Sequence, residues 1–334
     1  MNKVDEIKQH LGEVIDPSIG KSLKETNGIK FVSIEEENEK VNLVIALEKV
    51  DDPTKQAVTR SIAKVIKLDL KYKGLKIDFQ LRKLESSILS KDKKVKYIGI
   101  ASGKGGVGKS TVAANLALAL SRLGKKVGII DADIYGCSIP NIFDMKIQLP
   151  KADENEKIIP FKEKGLEIIS TEFFMQDGKP LMWRGPMLGK MLNHFFYDVG
   201  WDENLDYLII DLPPGTGDVA MDIQKLIPEC KMLIVTTPHQ SASHVAVKAG
   251  WAAKEMKHQL LGVVENMSYF KHNGEKLNIF GENGGKVVAE KLETDLIAQI
   301  PIGHPESGHH SLFEMHEEIG VHYLGLANKM IKEV

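Results

Sequence analysis

Cysteine is nearly absent from this sequence. Only Cys137 and Cys230 occur among 334 residues, which excludes a disulfide framework of the kind that staples small secreted domains. Long apolar runs are missing too, and no stretch reaches the roughly 20 residues that a membrane-spanning helix needs. The opening segment, MNKVDEIKQHLGEVIDPSIG, is charged and has no apolar core of the signal-peptide type, so a cytoplasmic protein with no membrane partner is expected. A formal net charge of -2 excludes any overall pull toward nucleic acid or anionic lipid, and such binding would need a local patch. No internal repeat or low-complexity segment interrupts the chain.

What is present is ordinary in amount and ordered in pattern. The 43% hydrophobic content supplies a substantial core, and the length fits about two domains. Residues 1–83 read as a small α+β domain in the order α-β-β-α-β. VDEIKQHLGEVI places Ile7, Leu11 and Val14/Ile15 at helical spacing, while IKFVSIE and KVNLVIALE run as strands around an acidic turn. Asp52-Pro53 reads as an N-cap and a first-turn proline opening a helix with Val58, Ile62, Val65 and Ile66 on its buried stripe. LKIDFQL closes the domain. Residues 84–95 are polar and charged and read as a linker.

From residue 96 to 334 the rhythm changes. KYIGIAS, KVGIIDAD, GLEIIST, LDYLIIDLPP, KMLIVTTP, LLGVVENM and LIAQIPI are apolar strands separated by helical stretches. That alternation predicts an α/β fold with a doubly wound, mainly parallel sheet covered on both faces.

The sharpest motif is GKGGVGKST, residues Gly103 to Thr111, between the strand KYIGIAS and an amphipathic helical stretch. Gly103, Gly108, Lys109 and Ser110 match the phosphate-binding pattern G-x-x-x-x-G-K-[ST] in its strand–loop–helix context. The backbone amides of Gly103, Lys104, Gly105, Gly106, Val107, Gly108, Lys109, Ser110 and Thr111 are expected to converge on phosphate oxygens, with Lys109 reaching the β- and γ-phosphates. Ser110 is expected to hold Mg²⁺. Lys104 places a second cation in the loop, where it can act on its own nucleotide or on a dimer partner's. Asp131, Asp133 and Asp211 fall at the C-terminal ends of apolar strands, where ligands bind in such sheets. Asp211 is expected to hold the metal, Asp133 to orient the attacking water, and Asp131 to lie close to both. Behind Asp211, the Pro-Pro element of DLPPGTGD with Gly215 and Gly217 suits a switch that senses the γ-phosphate.

With these residues in view, the chain resembles the deviant Walker A ATPases, and within them the Mrp/ApbC iron–sulfur cluster carriers. GKGGVGKST also fits MinD/ParA partition ATPases and nitrogenase iron protein. DADIYGCSIP, DLPPGTGD, TTPHQSASHVAVKAG, VENMSYF and IFGENGG narrow the resemblance to Mrp. The N-terminal domain is similar to the small iron–sulfur-assembly domain often fused to bacterial members. The resemblance implies a homodimer that binds and slowly hydrolyses ATP and passes a bridging [4Fe-4S] cluster to apoproteins or assembly factors. It also implies that Asn266 helps hold the adenine and that Pro301 and Ile302 touch the base. An ATP-gated regulator or scaffold without a cluster, binding a protein or DNA partner, is the alternative.

The chain departs from that family in its sulfur ligands. Cluster-bearing members carry C-x-x-C after NMSYF, and here the stretch reads KHNGEK, a polar glycine-containing loop with His272, Asn273, Gly274, Glu275 and Lys276. Cys137 stands where IYGPS has proline, and Cys230 reads as a buried small hydrophobe. Of eleven histidines, five (His304, His309, His310, His316 and His322) cluster near the C-terminus in no recognisable metal-ligand spacing. A basic run from Arg60 to Lys96, including Lys64, Lys67, Lys71, Lys73, Lys76, Arg82, Lys83, Lys93 and Lys94, reads first as a solvated face. It also offers a surface to an acidic partner or nucleic acid, although few aromatics interleave with it.

Overall fold

The computed structural model describes residues 3–26, 28–35, 38–47, 49–81, 95–133, 136–175, 185–215, 223, 226–306, 308 and 311–334. Gly217, His309, His310, Arg82, Lys83, Lys93, Lys94 and residues 84–94 of the expected linker lie outside the described residues. The chain divides into two compact units, Met1–Glu85 and Ser86–Val334.

The first unit runs α1 (Lys3–Gly12), β1 (Ile15–Asp16), β2 (Lys21–Ser22), β3 (Ile29–Glu35), β4 (Lys40–Leu47), α2 (Asp52–Lys64) and β5 (Gly74–Leu81). Strand β4 pairs antiparallel with β3 and parallel with β5. Ile7, Leu11, Leu43, Ile45, Val58 and Ile62 pack into its core. Three local details differ from the sequence reading. A two-residue ladder, β1 with β2, stands between α1 and β3, so α1 ends at Gly12 and Ile15 is exposed. The cap of α2 is Asp51, not Asp52: its carboxylate accepts from Thr54 N at 2.9 Å, because a capping side chain must reach back to the third helical amide. Past Lys64 the helix widens into a π turn, Val65–Asp69, which leaves Val65 half-buried while Ile66 stays in the core.

The second unit contains β6 (Lys96–Ser102), α3 (Lys109–Arg122), β7 (Val127–Asp131), α4 (Ile139–Ile142), β8 (Phe161–Glu163), β9 (Leu166–Ser170) and α5 (Gly185–Tyr197). It continues through β10 (Tyr207–Asp211), β11 (Lys231–Thr236), α6 (Gln240–Glu255), β12 (Leu260–His272), β13 (Glu275–Leu277), α7 (Gly284–Lys291), β14 (Leu296–Ile302) and α8 (Glu318–Glu333). The sheet order is β13-β12-β11-β6-β10-β7-β9-β8, with β14 paired to β12. The inner pairings are parallel, and among the described residues β8 and β13 run antiparallel at its margins. Strands β7, β9 and β10 are buried at every residue, as continuous apolar strands covered on both faces must be. No described helix is long and apolar enough to cross a membrane. Helix α8 spends its apolar side, Tyr323, Leu326, Ala327 and Met330, in this core.

The stretch expected as a polar loop after β12 is a hairpin. Asn273 (φ 50°) and Gly274 (φ 85°) form its two-residue turn, and His272 faces Glu275 across the ladder. Asn-Gly supplies the two left-handed positions that such a turn requires.

Ile209 lies in the middle of β10 with no exposure, whereas Ile279 is 59% exposed. Ile209→Ala should therefore lower unfolding free energy by about 2–5 kcal/mol, and Ile279→Ala by no more than about 0.5 kcal/mol. Denaturant titration of both variants checks the contrast.

Candidate functional site

Two neighbouring parallel strands deliver the acids. Residues Asp131 of β7 and Asp211 of β10 are register partners, so two carboxylates end side by side, with Asp133 two residues further on. Strand β6 lies on the other side of β10 and leads into the glycine loop from Gly103 to Gly108, which opens α3 at Lys109. The loop is fixed by sterics as well as by pattern. A Cβ on Gly103 would lie 2.2 Å from the Val245 backbone of α6, and one on Gly108 would lie 2.2 Å from Asn266 Nδ2. Gly106 and Gly108 adopt φ of 81° and 80°, which an L side chain resists.

Lys109 is the hub. Its ammonium, 6% exposed, lies 2.6 Å from Asp211 Oδ1 and 3.6 Å from Asp133 Oδ2, with Ser110 Oγ at 3.4 Å. Asp211 is fully buried, and its second oxygen, Oδ2, has no hydrogen-bond partner. Burial pushes the Asp211 carboxyl up, and Lys109 pulls it back. Asp131 is pushed up by burial and then by the charge of Asp211. Its own oxygens are engaged: Oδ2 accepts from Ser170 Oγ at 3.0 Å and from the amides of Ser138 and Ile139, each at 3.2 Å. Asp131 thus braces the strand ends, while Asp133 and Asp211 face the lysine.

A cavity of about 170 Å³ opens beside the loop, lined by Gly108, Thr111, Asn266, Pro301, Ile302 and Phe313 among others. Residues expected to surround a base therefore meet here from segments far apart in sequence. Asn266 Nδ2 also donates to Val107 O at 2.9 Å, tying the middle of β12 to the phosphate loop. A bulge at Met267 (φ 53°) shifts the register of β12 against β14 at this point.

Other expected residues fall elsewhere. Lys104 is exposed, and its ammonium reaches Ser241 Oγ at 3.3 Å within the same chain. His272 sits on the hairpin beside Asn273, and His322 touches Tyr269 Oη at 3.5 Å. Among the described residues no three His, Cys, Asp or Glu side chains form a metal-binding group. Cys230 is buried at the start of β11, and burial pushes its thiol up to about 12. The Cys137 thiol lies 2.8 Å from Thr171 Oγ1 and is likewise pushed up to about 12, chiefly by burial.

Two side chains escaped the sequence reading. Glu265, fully buried, accepts from Ser268 Oγ (2.6 Å), Gln299 Nε2 (2.8 Å) and Gly285 N (2.5 Å), joining β12, β14 and the start of α7. Asn115 sits in α3 with 2% exposure and bonds to the segment around Ser311. The signal for Asn115 was one polar residue inside an apolar helical run, and for Glu265 a charge directly after the apolar strand stretch LLGVV.

This arrangement agrees with what the chain is similar to. A family model, ParA: NUBPL iron-transfer P-loop NTPase, matches residues 93–320. The chain belongs to that family. An iron–sulfur cluster carrier protein of Bacillus subtilis is 39% identical, covering 99% of this chain and 98% of its own. Among solved structures, a nucleotide-binding protein in complex with ADP from Archaeoglobus fulgidus is 33% identical (TM-score 0.55), covering 72% of this chain and 90% of that one. The cell division ATPase MinD of Pyrococcus furiosus shares the fold at TM-score 0.54 and 21% identity, over 72% of this chain and 99% of its own.

Gly108→Ala combines a left-handed φ with a collision against the Asn266 amide. It should weaken ADP binding by ~10-fold or more, read by calorimetry against the parent chain.

Proposed function

We propose that this member of the iron-transfer P-loop family is a Mg²⁺-dependent ATP hydrolase that works as a homodimer in passing iron–sulfur clusters to apoproteins. The observation that carries the nucleotide part is Lys109 held between two strand-end carboxylates, at the mouth of a glycine loop that adjoins a base-sized cavity. The amides from Gly103 to Thr111 receive the phosphates. Phosphate oxygens compete for Lys109, whose ammonium leaves the acids and turns to them. Asp211, with its partnerless Oδ2, and Ser110 are the residues that would hold Mg²⁺, a fit for a hard cation with oxygen ligands. The metal would neutralise charge on the phosphate oxygens. Asp133, released from Lys109, orients the attacking water and accepts its proton. Asn266, Pro301 and Ile302 hold the adenine. Lys104, exposed at the loop, supplies charge within its own site or across the dimer.

The cluster is cargo, and it is the name borne by the Bacillus subtilis relative that supports this part of the reading. A second reading, an ATP-gated regulator or scaffold that binds a protein or DNA, is favoured by the thiols: both cysteines are held away from the thiolate form that iron requires. Anaerobic reconstitution with ferrous iron and sulfide separates the two. A stoichiometric cluster whose visible absorbance is lost in Cys137→Ser supports carriage on this chain, and its absence with ATP-dependent dimerisation intact supports the regulator.

Lys109→Ala should abolish ATP binding in a calorimetric titration, and retained affinity would refute the assignment. Asp133→Asn should keep binding within a few-fold while hydrolysis falls by ~100-fold or more, measured as phosphate release.

A further inference from the structure

The cavity beside the phosphate loop is closed on one side by the segment from Ser311 to Glu314, which precedes α8. Leu312 and Phe313 pack into the core, and the backbone of the segment is fastened to α3, the helix that the phosphate loop opens. Asn115 Nδ2 donates to Ser311 O at 2.7 Å and to Thr111 O of its own helix at 2.9 Å, while its Oδ1 accepts from Phe313 N at 2.9 Å. About two turns further along α3, Arg122 donates to Phe313 O at 2.7 Å and pairs with Glu314. Phe313 in turn stacks on Tyr323 of α8 with ring centroids 6.1 Å apart.

Asn115 therefore spans the two halves of the pocket. Thr111, Ser311 and Phe313 all line the cavity, and the amide of Asn115 bonds to the backbone of all three. The amide is suited to this because it donates twice and accepts once from a single flat group. A buried backbone carbonyl or amide left without its partner carries the full cost of desolvation, so loss of Asn115 favours release of the segment over an unpaired wall.

We infer that Asn115 is a positioning residue that sets the base side of the nucleotide pocket by holding Ser311 and Phe313 against the phosphate-loop helix. The inference rests on the cavity being the base pocket. It separates two parts of binding: the loop amides and Lys109 hold phosphate without this wall, whereas a base needs it. Loss of Asn115 should thus act on nucleoside recognition and spare phosphate.

The test is calorimetric titration of the full chain with Mg²⁺–ADP and, separately, with Mg²⁺–pyrophosphate, which has phosphates and no base. Asn115→Leu is expected to weaken ADP by ~10-fold to ~100-fold and pyrophosphate by no more than ~2-fold. Arg122→Ala, made at the more exposed end of the same tie, disturbs the buried core less and decides the matter should Asn115→Leu fail to fold. It should weaken ADP by ~3-fold, again sparing pyrophosphate. Parallel loss of both ligands, or no change in either, overturns the inference. If the parent chain binds ADP no more tightly than pyrophosphate, the base-pocket reading falls, and the role of Asn115 with it; the phosphate site is judged separately by Lys109→Ala.

Discussion

One ammonium among buried carboxylates holds the site together. Register pairing of β7 with β10 forces Asp131 and Asp211 next to each other at 0% exposure, and Asp133 lies close by. Like charges so placed oppose folding unless they are neutralised or hydrogen-bonded. Asp131 is satisfied by a serine hydroxyl and two amides. Asp211 and Asp133 depend on Lys109. The lysine is therefore a term in the stability of the sheet as well as the phosphate ligand of the proposed function. Truncating one partner of such a pair strands the other as an uncompensated charge.

That dependence explains how tightly the surrounding elements are specified. Lys109 can reach both acids only if α3 starts where it does, which requires the glycine loop to turn back closely over β6. Gly103 allows this by packing directly on the backbone of α6, and Gly108 by accepting a left-handed φ under the Asn266 amide. Asn266 then bonds Val107 O, so β12 beside the cavity and the loop beneath it are tied together. Charge compensation, loop sterics and base-side geometry form one connected set. In the proposed function, a nucleotide that draws Lys109 to its phosphates would perturb the acids at two strand ends at once.

Much of this was legible in the chain because it follows from short-range pattern. Continuous apolar strands gave the parallel sheet, and strand–loop–helix context marked Gly103 to Thr111. Acids ending such strands pointed to Asp131, Asp133 and Asp211, and the structure gathers them around Lys109. What stayed hidden depends on partners remote in sequence or on local geometry of one residue. Asn115 has no visible role until α3 meets Ser311 and Phe313, almost 200 residues away. Glu265 looks like a polar interruption until Gln299 and Gly285 close around it. The α2 cap lies one residue before its expected place because Asp51 and Asp52 are chemically alike, and only the reach to Thr54 N distinguishes them. Asn273-Gly274 was a hairpin signal in plain view, obscured by the polarity of its neighbours.

The same electrostatics bears on the sulfur atoms. A thiol becomes a metal ligand as thiolate, which positive surroundings favour. Cys137 instead keeps its proton chiefly through burial, with smaller additions from Asp131 and Glu172, and its sulfur lies 2.8 Å from the neutral hydroxyl of Thr171. Cys230 is walled into the core at the start of β11, at the opposite end of the sheet from the phosphate loop. Burial first, with the neighbouring acids adding to it, thus keeps the nearer thiol protonated, whereas the same acids suit a hard cation with oxygen ligands. Iron at Cys137 has to displace that proton from a largely buried site, a cost that an oxygen-held Mg²⁺ does not meet.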